Sequence, residues 1–250
     1  MTVGQWDVLR TDQGERAVPD RVLVVCAHPD DVDFGAAGTV AALTEGGASV
    51  AYAIVTSGEA GSDHLSIDAS ELAALRQREQ RAAGRVVGVE DISFLGHPDG
   101  QLEPTIALRG DLSAVIRRVR PDVVICQSPQ RMLERVFASH PDHLAAGEAT
   151  LCAVYPDARN PRAFPEQLEA GLEPHAVSEV WLMAHPEADL RVDVTATFDR
   201  KIAALRAHES QTGHREDLEE MVRSWLTAGA QAVGWDGGRL AESFKVVPTA

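Results

Sequence analysis

The segment RVLVVCAHPDDVDFGAAGTVAALTEGG (21–47) decides how the rest of the chain is read. RVLVVCA (21–27) is an almost unbroken β-branched run, the pattern of a strand covered on both faces, as in a parallel sheet. Pro29 ends it. The small-residue stretch that follows suits a helix lying close on a sheet, and Gly46 and Gly47 stop that helix. Between strand and helix stand His28, Asp30 and Asp31. They occupy the carboxyl end of a strand, where open parallel sheets bind their ligands.

Working outward, strands and helices alternate. ASVAYAIVTSG (48–58) reads as a strand, and 69–89 as a long helix with Ser70 as its N-cap. Residues 91–96 form a short strand, 108–120 a helix ended by Pro121, and DVVICQS (122–128) another buried strand. Two late strands follow at 177–184 and 189–195. A helix over 196–208 carries Phe198, Ile202 and Leu205 on one face, and a last helix spans 215–230. This alternation predicts an α/β protein with a Rossmann-like three-layer fold: a mainly parallel sheet and helices on both faces. Residues 1–250 read as a single domain with an N-terminal arm at 1–20. Four prolines between 156 and 176 (Pro156, Pro161, Pro165, Pro174) predict a loop or flap near the site.

Composition narrows the function classes. A formal net charge of −15 argues against nucleic acid or an anionic membrane surface as the main partner. The first twenty residues lack the basic and apolar regions of a secretion signal, and no stretch approaches the roughly 20 apolar residues of a membrane span. Three cysteines, Cys26, Cys126 and Cys152, with no CxxC, predict no disulfide framework and a reducing, cytoplasmic setting. Cys26 and Cys126 sit in apolar runs and read as core.

His-Pro-Asp recurs at 28–30, 97–99 and 140–142, and HPEA (185–188) nearly repeats it. Nine histidines and thirteen prolines in 250 residues would give about half a His-Pro pair by chance. Alone, each copy is a turn with an Asx-type bond. The copies HPDD (28–31) and HPDH (140–143), however, both follow parallel strands and both precede small-residue helices. His28 and Asp31, three residues apart on a first helical turn, can grip one ion, and His143 offers a third ligand. Two imidazoles and one carboxylate leave a position open for water, the pattern of a catalytic zinc. Asp30 is then placed as general base, His140 as oxyanion stabiliser or proton donor to a leaving amine, and Asp142 as a carboxylate orienting an imidazole. His97 and His185 read as turn residues. A competing reading makes Asp31 and Asp33 the aspartate pair of a magnesium phosphohydrolase, but it leaves the histidines without a role. No GxGxxG or Walker pattern follows the first strand.

The segments VLVVCAHPDDVDFGAAGTVAAL, TSGEAGS, LRQREQRAAGRVVGVEDISFLGHPDGQL, SHPDHLAAGEA and FDRKIAALRAHESQ together resemble the PIG-L or LmbE-like zinc-dependent N-deacetylases, which act on N-acetylglucosamine-type sugars. The resemblance spans most of the chain. It implies an LmbE-like fold and one Zn2+ per chain on His28, Asp31 and His143, with another divalent metal left open. It implies Asp30 as base and His140 at the tetrahedral intermediate. It further implies sugar contacts from Glu59, Arg76 and Asp99, and His208 near the site. The expected partner is a small N-acetylated sugar conjugate. A related amidase of the mycothiol-conjugate type, and assembly as a homo-oligomer, are left open. Many relatives carry Glu directly after the two aspartates, whereas this chain has Val32 and then Asp33.

Overall fold

In the computed structural model, which describes residues 8–62, 67–133, 136 and 139–249, one nine-stranded sheet runs through the chain. The strands are β1 (Val8–Thr11), β2 (Gly14–Ala17), β3 (Arg21–Cys26), β4 (Ser49–Ile54), β5 (Asp91–Phe94), β6 (Val123–Gln127), β7 (Glu179–Met183), β8 (Leu190–Asp193) and β9 (Ala241–Pro248). Their spatial order is β2-β1-β8-β9-β7-β6-β3-β4-β5. From β7 to β5 every pairing is parallel, as the hydrophobic runs predict. Beyond β7 the sheet turns antiparallel, through β9, β8 and the β1–β2 hairpin.

The helices are α1 (Asp31–Glu45), α2 (Ala69–Val87), α3 (Ile106–Val119), α4 (Pro141–Cys152), α5 (Pro165–Glu169), α6 (Phe198–Arg206), α7 (Glu209–Thr212) and α8 (Leu218–Gln231). They cover both faces and bury two apolar clusters. One gathers Val24, Tyr52, Trp181 and Phe244 under α1, α6 and α8; the other gathers Leu23, Val124, Leu112 and Ile116 under α3 and α4. Cys26 and Cys126 are both fully buried in these clusters. No helix among the described residues is long and apolar enough to cross a membrane.

Four features differ from these expectations. The described part of the N-terminal arm is the β1–β2 hairpin, joined to the sheet where Thr11 meets Val192. The strand β9 carries only a partial alternation (Ala241, Glu242, Phe244 buried), too weak a period to read against a charged C-terminal tail. Residues 156–176 do not form a flap. Buried Arg117 on α3 donates to the carbonyls of Asp157, Ala158, Asn160 and Ala163, and Arg109 pairs with Asp157 at 2.9 Å. Those bonds strap the proline-rich segment onto α3. On α2 the N-cap is Asp68, whose carboxylate accepts the Ser70 N–H, so Ser70 is the second residue of the helix and not its cap.

The antiparallel edge is tied to α1 by an ion pair. Lys201 on α6 donates to the carbonyls of Asp33 and Phe34 and to Glu242 of β9, at 2.7–2.8 Å. Glu242 in turn accepts the N–H groups of Gly38 and Thr39. Both charged side chains are 1% exposed. Removing one partner strands the other charge in a dry interior. Lys201→Met is therefore expected to lower unfolding free energy by about 3–5 kcal/mol, read as a lower midpoint in urea; a change within a few tenths would show the pair to be idle.

Candidate metal centre and active site

β3 and β6 are adjacent parallel strands, so the loops leaving their carboxyl ends share one edge of the sheet. Gly147 makes the close seating of α4 against that edge feasible: a Cβ there would lie 2.3 Å from the Gln127 carbonyl. His140 is the N-cap of α4 and Pro141 its first residue, where a missing N–H costs nothing. Consequently His28, His140 and His143 converge, with ring centroids 5.0–5.4 Å apart.

Asp31 joins two of these rings. One oxygen lies 3.2 Å from His28 Nδ1 and the other 3.0 Å from His143 Nε2. His28 Nε2 faces a second acidic group, Asp99 at 3.0 Å and Asp142 at 3.2 Å. Among the described residues, two donor sets around His28 have all their ligand atoms within 4.8 Å of one another: His28, His140 and His143, and His28, Asp99 and Asp142. Hydrogen bonding separates them. Asp142 is fully buried and already accepts the N–H groups of Gly100 and Leu102, while Asp99 accepts that of Ala60. These two carboxylates are engaged as supports for an imidazole, the usual partners of a metal-bound histidine's outer nitrogen. Asp31, between His28 Nδ1 and His143 Nε2, accepts the His28 N–H at 2.8 Å. The cradle favours positive charge: burial opposes protonation of His28, yet Asp31 and Asp99 outweigh it and raise its pKa to about 11. Asp31 is held well below the usual carboxylate range, since His143 and His28 outweigh its burial.

Asp30 points elsewhere. Its backbone is left-handed (φ 84°), unusual for a non-glycine residue. The Gln80 side chain accepts its N–H at 2.8 Å. Arg76 donates to the carbonyls of Pro29 and Gly58 and, at 3.2 Å, to the Asp30 carboxylate. Gly58, at φ 69°, has no alternative, for a Cβ there would stand 2.1 Å from Arg76 Nη1. Burial lifts the Asp30 carboxyl and Arg76 offsets part of that; with Asp31 adding to the rise, its pKa reaches about 6. His140 Nδ1 accepts the Asp142 N–H at 3.2 Å, which leaves its proton on Nε2. Burial, then the charges of His28 and His143, hold its pKa down, so the ring is a neutral donor.

Asp142 Oδ2 lies 3.2 Å from Nε2 of His28, 114 residues away in the chain. Glu59 and Asp99 brace each other's loops: Glu59 accepts the Asp99 N–H, and Asp99 accepts that of Ala60. His208 is fully buried behind the site, donating to or accepting from Asp33 at 2.8 Å, and Asp33 also accepts from Gln80. Asp33 thus faces away from Asp31, which removes the shared-magnesium reading. His97 pairs with Asp111 on α3. His185 makes a turn bond, its Nδ1 accepting the Glu187 N–H at 3.0 Å, and also lines a cavity beside Asp31 and His143. Arg215 and Trp225, unmarked by any motif, line it too.

The family model PIG-L, GlcNAc-PI de-N-acetylase, matches residues 23–154. Diacetylchitobiose deacetylase of Thermococcus kodakarensis is 33% identical over 229 residues, covering 91% of this chain and 83% of that one. A probable N-acetyl-alpha-D-glucosaminyl L-malate deacetylase 2 of Bacillus cereus is 30% identical over 196 residues, covering 76% and 83%. Among solved structures, N,N'-diacetylchitobiose deacetylase from Pyrococcus horikoshii, complexed with an inhibitor, superposes with a TM-score of 0.84 at 30% identity, covering 92% and 85%.

Divalent-metal affinity separates the two layers of carboxylates. Asp142→Asn is expected to weaken it by about 10–100-fold, and Asp31→Asn by more, in a competitive chelator titration. Equal, negligible effects from both would remove the ion from this cradle.

Proposed function

The chain belongs to the PIG-L family, and from that premise we propose that it is a zinc-dependent N-deacetylase hydrolysing the acetamide of an N-acetylglucosamine-type conjugate. The observation that carries this reading is the division of labour between neighbours: Asp31 turned to His28 and His143, Asp30 turned to Arg76. His28, Asp31 and His143 hold the ion. Zinc there supplies a polarised amide carbonyl and a water of lowered pKa.

The chain's own residues do the rest. Asp30 accepts the proton of the water that attacks the carbonyl carbon. His140 donates its Nε2–H to the oxygen that gains charge as the carbon becomes tetrahedral. Asp30 then returns the proton to the amide nitrogen as the C–N bond breaks, giving acetate and a free amine. Asp142 and Asp99 hold the His28 ring through its Nε2 side. Glu59 and Asp99, from the loops after β4 and β5, and Arg76 from α2 are assigned to the sugar hydroxyls.

Acetate release from N-acetylglucosamine conjugates, measured beside metal content, tests the mechanism. Asp30→Asn is expected to keep one zinc per chain and lose about 10²–10⁴-fold in kcat. His140→Ala is expected to lose about 10²–10³-fold. Undiminished turnover by Asp30→Asn, or an enzyme active without stoichiometric metal, would sink the proposal.

A further inference from the structure

A base is aimed by the backbone that carries it. Asp30 is left-handed (φ 84°, ψ −26°), a conformation that a non-glycine residue keeps only where its surroundings hold it. Its carbonyl closes the turn by accepting the N–H groups of Asp33 and Phe34 at 2.9 and 3.0 Å. Its own N–H is taken by the Gln80 side chain of α2 at 2.8 Å.

Gln80 is fully buried, and both ends of its amide are engaged. Oε1 faces the Asp30 N–H, while Nε2 donates to Asp33 Oδ2 at 2.9 Å. A backbone N–H can only donate and a carboxylate anion can only accept, so these two partners fix which way round the amide lies. The same Asp33 oxygen stands 2.8 Å from His208 Nε2, which for the same reason carries the proton. Asp33 and His208 are both fully buried, where a polar group keeps the partners the protein gives it. Three hydrogen bonds thus run in line from His208 through Asp33 and Gln80 to the Asp30 backbone, whereas Arg76 meets the Asp30 carboxylate. The segment after α6 also grips α2 beside Gln80. Ser210 donates its N–H and its hydroxyl to Glu79 at 2.8 and 2.6 Å, and Gln211 donates to the Gly61 carbonyl at 3.2 Å. Asp31 has separate supports, the His28 N–H and the His28 and His143 imidazoles.

We propose that His208 and Gln80 are positioning residues for the base: His208 orients Asp33, Asp33 orients the Gln80 amide, and that amide holds the Asp30 backbone in the turn that directs its carboxylate away from Asp31. The inference rests on the deacetylase reading above, in which Asp30 is the base, and adds the residues that aim it. Breaking the line misplaces Asp30 and leaves the metal ligands where they are. Packing alone would be satisfied by any side chain of similar volume, whereas positioning requires a donor at the place of His208 Nε2 and an amide at residue 80.

Two amides at residue 208 test this atom by atom. The Gln side chain brings its nitrogen as many bonds from the backbone as His208 Nε2, while that of Asn stops at the level of Nδ1. His208→Asn and Gln80→Met are each expected to lose about 10–100-fold in kcat, with KM and zinc content unchanged, and His208→Gln to keep most of the wild-type rate. The losses should not multiply: His208→Asn added to Gln80→Met, or either added to Asp30→Asn, is expected to cost nothing further in kcat. Hydrogen exchange at the Asp30 N–H, followed by NMR on the zinc-loaded protein, reads the same line without turnover. Exchange should be about 10-fold or more faster in His208→Asn and Gln80→Met than in wild type and His208→Gln. Unchanged exchange, losses that multiply with that of Asp30→Asn, or equal losses from both substitutions at 208 would overturn the proposal. If His208→Asn does not fold, Gln80→Met, alone and with Asp30→Asn, decides it by the same measurements. Failure of the deacetylase reading would instead show as absent acetate release by wild type, with the exchange differences intact.

Discussion

The turn from β3 into α1 places Asp30 in a left-handed conformation, and the site is organised around that single backbone choice. For a non-glycine residue the cost is about 1 kcal/mol or more. It is met locally: Gln80 accepts the Asp30 N–H, and Arg76 takes up the Pro29 carbonyl. The consequence is geometric. Two adjacent carboxylates leave the chain in different directions, one toward the imidazoles and one toward a buried guanidinium. Their environments then pull their pKa values apart, Asp31 downward and Asp30 up to about 6. One residue is thereby kept as a permanent anion for a cation, and its neighbour as a base near neutrality.

Support for this turn comes from distant parts of the chain. Gln80 reaches Asp30 with one end of its amide and Asp33 with the other, and Asp33 meets His208 at the end of α6. Lys201, on the same helix, holds the first turn of α1 from behind and anchors it to β9. The antiparallel extension of the sheet therefore braces the helix that carries Asp31. It also brings α8 and Trp225 to the mouth of the cavity.

Around His28 the structure concentrates three carboxylates, Asp31, Asp99 and Asp142. Such a cluster is costly unless a cation or many donors compensate it. Backbone N–H groups of Gly100, Leu102 and Ala60 satisfy the outer two. The inner carboxylate, Asp31, faces the His28 and His143 imidazoles and also accepts the His28 N–H. The third His-Pro-Asp copy takes its place here: its histidine pairs with α3, and its aspartate enters the site.

Strand and helix order for the parallel half, and the His and Asp residues that gather at its strand ends, were legible from residues 21–47 and 140–143, because period, punctuation and spacing are local properties. Asp142 as an imidazole support was legible in kind, while its target was not, since only the pairing of β3 with β6 brings His28 to it. The hairpin of β1 and β2, and β9, were not legible, because antiparallel strands with one face less buried lose the continuous apolar signal. The strap of residues 156–176 onto α3 was hidden for another reason: Arg117 bonds to backbone carbonyls, which no side-chain motif announces. By itself, then, the sequence determined which imidazoles and carboxylates stand at the strand ends. The tertiary structure alone decided which of those carboxylates distant backbone N–H groups engage, and which remote side chains, Trp225 and Arg215 among them, wall the cavity beside Asp31 and His143, because those choices depend on contacts between residues far apart in the chain.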